Sequence, residues 1–164
     1  EKLEAEGKEL DVASEVGIGA AKYANLTVTR SKDITFDWDR VLSFEGDAGP
    51  YLQYANTRAK SILAKADTDG AITGAVTDAE HELVKQLAAF PEHVEQAADH
   101  RDPATLSNYL SRLSETFNAF YHSERVLDAD TAEAVRRRVR FMELFRDVTD
   151  TGLDLLGIEP LEEM

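Results

Sequence analysis

Apolar residues recur at helical spacing along most of this 164-residue chain, and no stretch alternates convincingly as a strand. That pattern confines the fold to packed helices. Leu106, Leu110, Leu113, Phe117 and Phe120 mark one face of a helix over 105–122. Leu52, Ala55, Ala59, Ile62 and Leu63 mark another over 50–66, and Val135, Val139, Met142, Phe145 and Val148 a third over 130–149. Residues 9–28 read as a helix carrying Leu10, Val12, Val16, Ala20 and Tyr23, with Gly17 and Gly19 allowing a close helix crossing. Residues 29–36 are a connector, extended at Ile34-Thr35-Phe36. Residues 37–43 form a short helix with Asp37 as its N-cap. Asp67-Thr68-Asp69-Gly70 stops the 50–66 helix, and 70–77 is a linker. Thr77 or Asp78 caps a helix bearing Leu83, Leu87, Ala88 and Phe90, with Glu80 in its first turn. Pro91 interrupts, 92–100 is helical again, and a last short helix over 151–156 ends at Gly157. The expected fold class is an all-α helix bundle.

Composition narrows the function classes. Hydrophobic residues make up 43% of the chain, enough for a real core. There is no run of about 18 apolar residues, hence no expected membrane span. The first residues are charged and carry no apolar signal segment, which fits a cytoplasmic location. Cysteine is absent, so disulfide and thiolate chemistry are excluded. The net charge of −14 is unusual for a partner of nucleic acid, which normally meets a basic surface. Two readings compete: an acidic interaction module, or an RNA-binding domain adapted to high salt. Only 7 of the 18 basic residues are lysine, and the acids are spread along the chain, as in proteins of salt-loving microbes. At about 1 M salt the Debye length is about 3 Å, so repulsion from RNA is screened and stacking carries more of the binding.

One run stands apart. Leu42-Ser43-Phe44-Glu45-Gly46-Asp47-Ala48-Gly49-Pro50-Tyr51-Leu52-Gln53-Tyr54-Ala55-Asn56-Thr57-Arg58 is a polar, glycine-containing loop opening into an amphipathic helix. Pro50 suits a first helical turn, where its missing N–H costs nothing. Tyr51 is then presented on a rigid helix start. A flat aromatic held this way can stack on unpaired bases, or it can pack into a helix-loop-helix corner as core.

The wording of that run resembles the arginyl-tRNA synthetase family, in which a loop of the type S-F-x-G-D-T-x-P-Y-L-Q-Y-x-x-x-R enters the anticodon-binding domain. Upstream, Val16-Gly17-Ile18-Gly19-Ala20 through Leu26 and the step Phe36-Asp37-Trp38-Asp39 are similar to the family pattern. Downstream, Asn108-Tyr109-Leu110, Phe117-Asn118 with Phe120-Tyr121, and Gly152 through Ile158 follow in order. The resemblance implies a helix bundle of the class I synthetase anticodon-binding (DALR) type. It further implies a connector over 1–49 that includes the anticodon-side loop, and an anticodon-binding domain over 50–164. The implied RNA-contacting residues are Ser43, Phe44, Glu45, Gly46 and Asp47 of the loop, then Tyr51, Tyr121, Arg125 and Met164. Tyr51 is the implied stacking aromatic. Arg125 stands where some members carry tryptophan. The implied partners are the anticodon stem-loop of tRNA(Arg) and the parent chain's own catalytic domain, with the chain monomeric and its source salt-loving and archaeon-like.

The chemistry of amino-acid activation is not written here. Neither an H-x-G-H motif nor a K-M-S-K-like loop is present, so this chain is not expected to activate arginine. No cofactor or metal is expected in it; ATP with magnesium belongs to the full-length enzyme. His81, His93, His100 and His122 lack metal-ligand spacing. Arg136, Arg137, Arg138 and Arg140 are candidates either for phosphate contacts or for pairing with nearby acids. Ala48 replaces the family's usual threonine, and the acidic tail Leu161-Glu162-Glu163-Met164 lacks the arginine that often precedes the methionine. The alternative function is an acidic helical protein-interaction module that does not bind RNA.

Overall fold

A computed structural model describes residues 12–29, 32–33, 37–44 and 46–164. The expected extended step at 34–36, the helix start at 9–11 and the loop residue Glu45 lie outside the described residues. Seven helices follow in order among those described: α1 Ala13–Leu26, α2 Trp38–Val41, α3 Gly49–Leu63, α4 Asp78–Ala88, α5 Phe90–His100, α6 Pro103–Ser123 and α7 Ala132–Leu155. No strand is present among the described residues. The fold is the expected helix bundle. α3 lies between α1, α6 and α7, and α6 packs in turn on α4 and α5. The apolar faces read from the sequence meet in one core of Leu52, Leu83, Leu110, Leu113, Phe117, Phe120, Phe141, Met142, Phe145 and Leu153. Each fully buried side chain of this size contributes about 1.5–3 kcal/mol.

Local signals set the helix starts. The Asp37 carboxylate accepts from the N–H groups of Asp39 and Arg40 and caps α2. Thr77 and Glu80 form a reciprocal capping box at α4. Asp102 caps α6 with Pro103 in its first turn, and Thr131 caps α7. Pro91 does not interrupt a helix but sits in the first turn of α5, where a single residue, Ala89, separates it from α4.

The expected break between a helix ending near 149 and a short one over 151–156 does not occur. α7 runs unbroken to Leu155. The Thr149 and Thr151 hydroxyls donate to the carbonyls of Phe145 and Asp147, each at 2.7 Å, which absorbs their polar groups inside the helix. Gly152 is there for packing: an added Cβ would stand 2.7 Å from a Leu110 methyl carbon. The helix then ends in a Schellman motif, with Gly157 at φ 68° and the Ile158 N–H donating to Leu153 at 2.9 Å.

Of the two readings of the arginine cluster, pairing with acids holds for Arg137, Arg138 and Arg140. Glu80 is fully buried between α4 and α7. Its carboxylate accepts from Arg137 at 3.0 and 3.2 Å, from Arg138 at 2.7 Å and from the Thr77 N–H at 2.9 Å. Arg138 also pairs with Glu124 at 2.6 Å. Burial alone would raise the Glu80 pKa, but the two guanidinium groups and the Thr77 N–H outweigh it and hold the carboxyl below its ordinary range. Arg137 and Arg138 are therefore structural, buried and spoken for. Arg140 pairs with Glu143 at 2.7 Å, while Arg136 is exposed.

Candidate nucleic-acid interface

Helical spacing puts Tyr51, Tyr54 and Arg58 on one stripe of α3, three and four residues apart. Asn118 and Tyr121 make the matching stripe on α6. Where the two meet, the Arg58 guanidinium lies over both exposed tyrosine rings, 4.7 Å from the centroid of Tyr54 and 4.9 Å from that of Tyr121. Arg58 Nη1 donates to Asn118 Oδ1 at 2.7 Å, and Asn118 Nδ2 donates to the Tyr51 hydroxyl, also at 2.7 Å. Phe44, from the loop before α3, meets Tyr54 edge-on at 6.5 Å. Tyr121 stacks on the buried Phe117 at 6.3 Å, which ties the surface ring to the core.

The result is a pre-ordered surface of π faces around one fixed cation. Tyr54 and Tyr121 are 39% and 37% exposed, enough to offer ring area to a ligand while both remain anchored. Stacking of a base on such a ring is worth about 1–3 kcal/mol and needs no particular base. A guanidinium held over aromatic rings adds a cation that, among the described residues, is not spent on a carboxylate.

The loop before α3 is shaped from below. Gly46 has φ 72°, a left-handed conformation that glycine adopts without cost. Asp47 accepts a hydrogen bond from the Tyr23 hydroxyl of α1, which pins the loop to the bundle. Burial pushes the Tyr23 pKa well above its ordinary value, and the Asp47 carboxylate adds to the shift, so this phenol stays protonated as the donor. A concavity of about 380 Å³ lies between the loop, α1 and α2, lined by Tyr23, Asp39, Arg40, Ser43, Gly46 and Asp47.

Of the residues expected from the sequence, Phe44, Tyr51 and Tyr121 converge on this one surface. Ser43, Gly46 and Asp47 line the separate concavity against α1 and α2. Glu45 lies outside the described residues. Arg125 lines a neighbouring concavity of about 480 Å³ with Lys65, Tyr121, His122 and Glu124. Met164 is half-buried at the end of a tail held along the opposite flank of α3, where Gln53 Nε2 donates to the Glu159 carbonyl and Lys60 Nζ to that of Leu161, each at 3.0 Å. Tyr54, Arg58 and Asn118 were not among the expected site residues. For Tyr54 and Arg58 the signal was present, since their spacing from Tyr51 places all three on one helical stripe.

Comparison with known proteins identifies the family and the fold. The family described as "DALR anticodon binding domain" matches residues 52–164. An arginine–tRNA ligase of Clostridium botulinum is 38% identical over 160 residues, covering 94% of this chain and 28% of the relative. One of Exiguobacterium is 41% identical over 155 residues, covering 94% of this chain and 27% of the relative. The solved arginyl-tRNA synthetase of Thermus thermophilus superposes with a TM-score of 0.88 at 38% identity, covering 93% of this chain and 27% of that one. The chain thus spans a little over a quarter of the length of the relatives it matches.

Proposed function

The chain belongs to the DALR anticodon-binding domain family, and from that premise we propose that it is the tRNA-reading part of an arginine–tRNA ligase. It binds the anticodon stem-loop of tRNA(Arg). The observation that supports this most is the Arg58 guanidinium set over Tyr54 and Tyr121 beside the loop that leads into Tyr51. A surface of that kind suits splayed, unpaired bases better than it suits a duplex. Ser43, Phe44, Glu45, Gly46 and Asp47 are the proposed RNA contacts of the loop, and Arg125 is the proposed contact to the flanking backbone from the next concavity. Met164 closes the far end of the tail.

The contribution to catalysis is positional. Docking one end of the tRNA fixes where its acceptor end falls relative to a distant active site, so affinity is spent on orientation. The parent enzyme joins arginine to tRNA using ATP and magnesium, which are held by the rest of that protein. The setting proposed for it is the cytoplasm of a salt-adapted cell, with the chain acting as a monomer. With a net charge of −14, long-range attraction to phosphate contributes little, and stacking on the aromatic surface carries the affinity.

The test is titration of the chain with an RNA hairpin carrying the arginine anticodon stem and loop, at about 1 M KCl where repulsion is screened. Binding that weakens when the central anticodon base is changed supports the reading. Equal binding to both hairpins, or to neither, overturns it for this chain.

A further inference from the structure

Arg58 is a donor only, because a guanidinium has no acceptor lone pair. Its bond to Asn118 at 2.7 Å therefore fixes which end of the Asn118 amide faces it: the carbonyl oxygen. The NH₂ end is then turned to Tyr51, and that NH₂ can only donate. The Tyr51 hydroxyl is left in a defined state. Its oxygen is used as an acceptor, its own proton is not, and among the described residues nothing takes that proton.

We propose that Asn118 is a positioning residue that turns Tyr51 into a hydrogen-bond donor toward an unpaired base, while holding Arg58 between the Tyr54 and Tyr121 rings. The amide relays orientation from the cation to the phenol. The ligand class is a splayed nucleobase presenting a carbonyl oxygen or an unprotonated ring nitrogen to the Tyr51 O–H. A ring that only stacks would gain nothing from its hydroxyl. A ring whose hydroxyl is held as an acceptor on one side gains a directional contact on the other, and such a contact selects among bases where stacking does not. This inference rests on the RNA-binding reading above.

Two substitutions separate the amide's functions. Asn118→Asp keeps an acceptor for Arg58 but offers only an acceptor to Tyr51, so the phenol proton is drawn inward and its outward donation ends. Tyr51→Phe removes the same donor directly. Both variants and their combination are titrated against the anticodon hairpin at about 1 M KCl, where an added surface charge is screened. Each single change is expected to weaken binding about tenfold, the size of one net hydrogen bond to a polar ligand. Tyr51→Phe made in the Asn118→Asp background is expected to have no further effect. An unchanged affinity for Tyr51→Phe overturns the proposal, as does full additivity of the two changes. Thermal melts accompany each titration. Should Asn118→Asp fail to fold, Tyr51→Phe at unchanged melting temperature decides alone, loss of binding supporting the proposal and no loss overturning it. A wild-type chain that does not bind the hairpin is the failure of the RNA-binding reading itself, distinct from wild-type binding that is indifferent to the Tyr51 hydroxyl.

Discussion

Gly49, the first residue of α3, lies directly against Gly19 of α1: a Cβ added at Gly49 would stand 3.0 Å from the Gly19 carbonyl oxygen and 3.0 Å from Cα of Ala20. The obstacle is backbone, which cannot swing aside as a side chain can. This contact sets the height from which α3 leaves the loop, and so the position of Tyr51 two residues on. Gly49→Ala is expected to separate α1 from α3 at a cost of about 1–3 kcal/mol, as for overpacking elsewhere in a core. Denaturant unfolding measures it, and a midpoint equal to that of the unaltered chain would refute the close-crossing account.

Glu80 carries a heavier duty than its capping position suggests. It closes the capping box of α4 and also neutralises Arg137 and Arg138 out of reach of water. Glu80→Ala leaves the buried Arg137 without its carboxylate and Arg138 with Glu124 alone, and is expected to cost about 3–5 kcal/mol. The pH dependence has a definite sign. The folded-state pKa lies below the ordinary carboxylate value, so the contribution is present above that ordinary value and is lost as pH falls through the folded one. Thermal melts from neutral to acid pH should therefore fall more steeply for the unaltered chain than for Glu80→Gln. Parallel acid limbs would show that Glu80 is not the titrating group.

Much of this was legible before the fold was known, for reasons that are local. Caps at Asp37 and Thr77 and the apolar stripe of α6 depend on neighbours in sequence, and each forms as expected. What escaped depends on contacts across the bundle. Thr149-Asp150-Thr151-Gly152 reads as a helix break, yet Gly152 is a seat for Leu110 and the helix continues. Gly17 and Gly19 look alike in sequence, but only Gly19 has a neighbour that a Cβ would press. For Arg137 and Arg138 the sequence leaves phosphate contact and acid pairing both open, and the acid that decides it, Glu80, lies more than fifty residues earlier. At the candidate site, Tyr54 and Arg58 lie in the very run that drew notice to Tyr51. Arg58 is bonded to Asn118, sixty residues beyond it, and no spacing rule reaches that far.

Tyr54 gives the clearest test of stacking. It is exposed, it lies under Arg58, and the core does not depend on it. Tyr54→Ala is expected to weaken hairpin binding by about 1–3 kcal/mol while shifting the melting temperature little. Tyr54→Phe keeps the ring and should bind almost as the unaltered chain does. A Tyr54→Phe variant as weak as Tyr54→Ala would mean that the hydroxyl, not the ring face, is what the RNA meets.

Salt should act on the fold as well as on binding. A chain with 32 acidic and 18 basic residues repels itself at low ionic strength. Raising KCl from about 0.1 M to about 1 M shortens the Debye length from about 10 Å to about 3 Å and is expected to raise the melting temperature. Melting curves that superimpose across that range would show that the surface acids are already neutralised by pairing.

The link between Tyr23 and Asp47 ties stability to the candidate interface. Tyr23 is buried, and its hydroxyl holds the loop through the Asp47 carboxylate. Tyr23→Phe keeps the ring in the core and deletes that tether together with a longer contact to the Ser107 carbonyl at 3.3 Å, so the expected loss of stability is modest, about 0.5–1.5 kcal/mol. Hairpin binding should fall by more than stability does, because the freed loop must be ordered again when RNA binds. The alkaline limb carries a second signature. The Tyr23 pKa is raised in the folded state, so its contribution is complete below the ordinary phenol range and is lost as pH rises beyond it through the folded value. Tyr23→Phe should therefore flatten the fall in stability above about pH 10. A variant that binds RNA as tightly as the unaltered chain, with the same alkaline limb, would separate the loop from its anchor and remove Tyr23 from any account of the site.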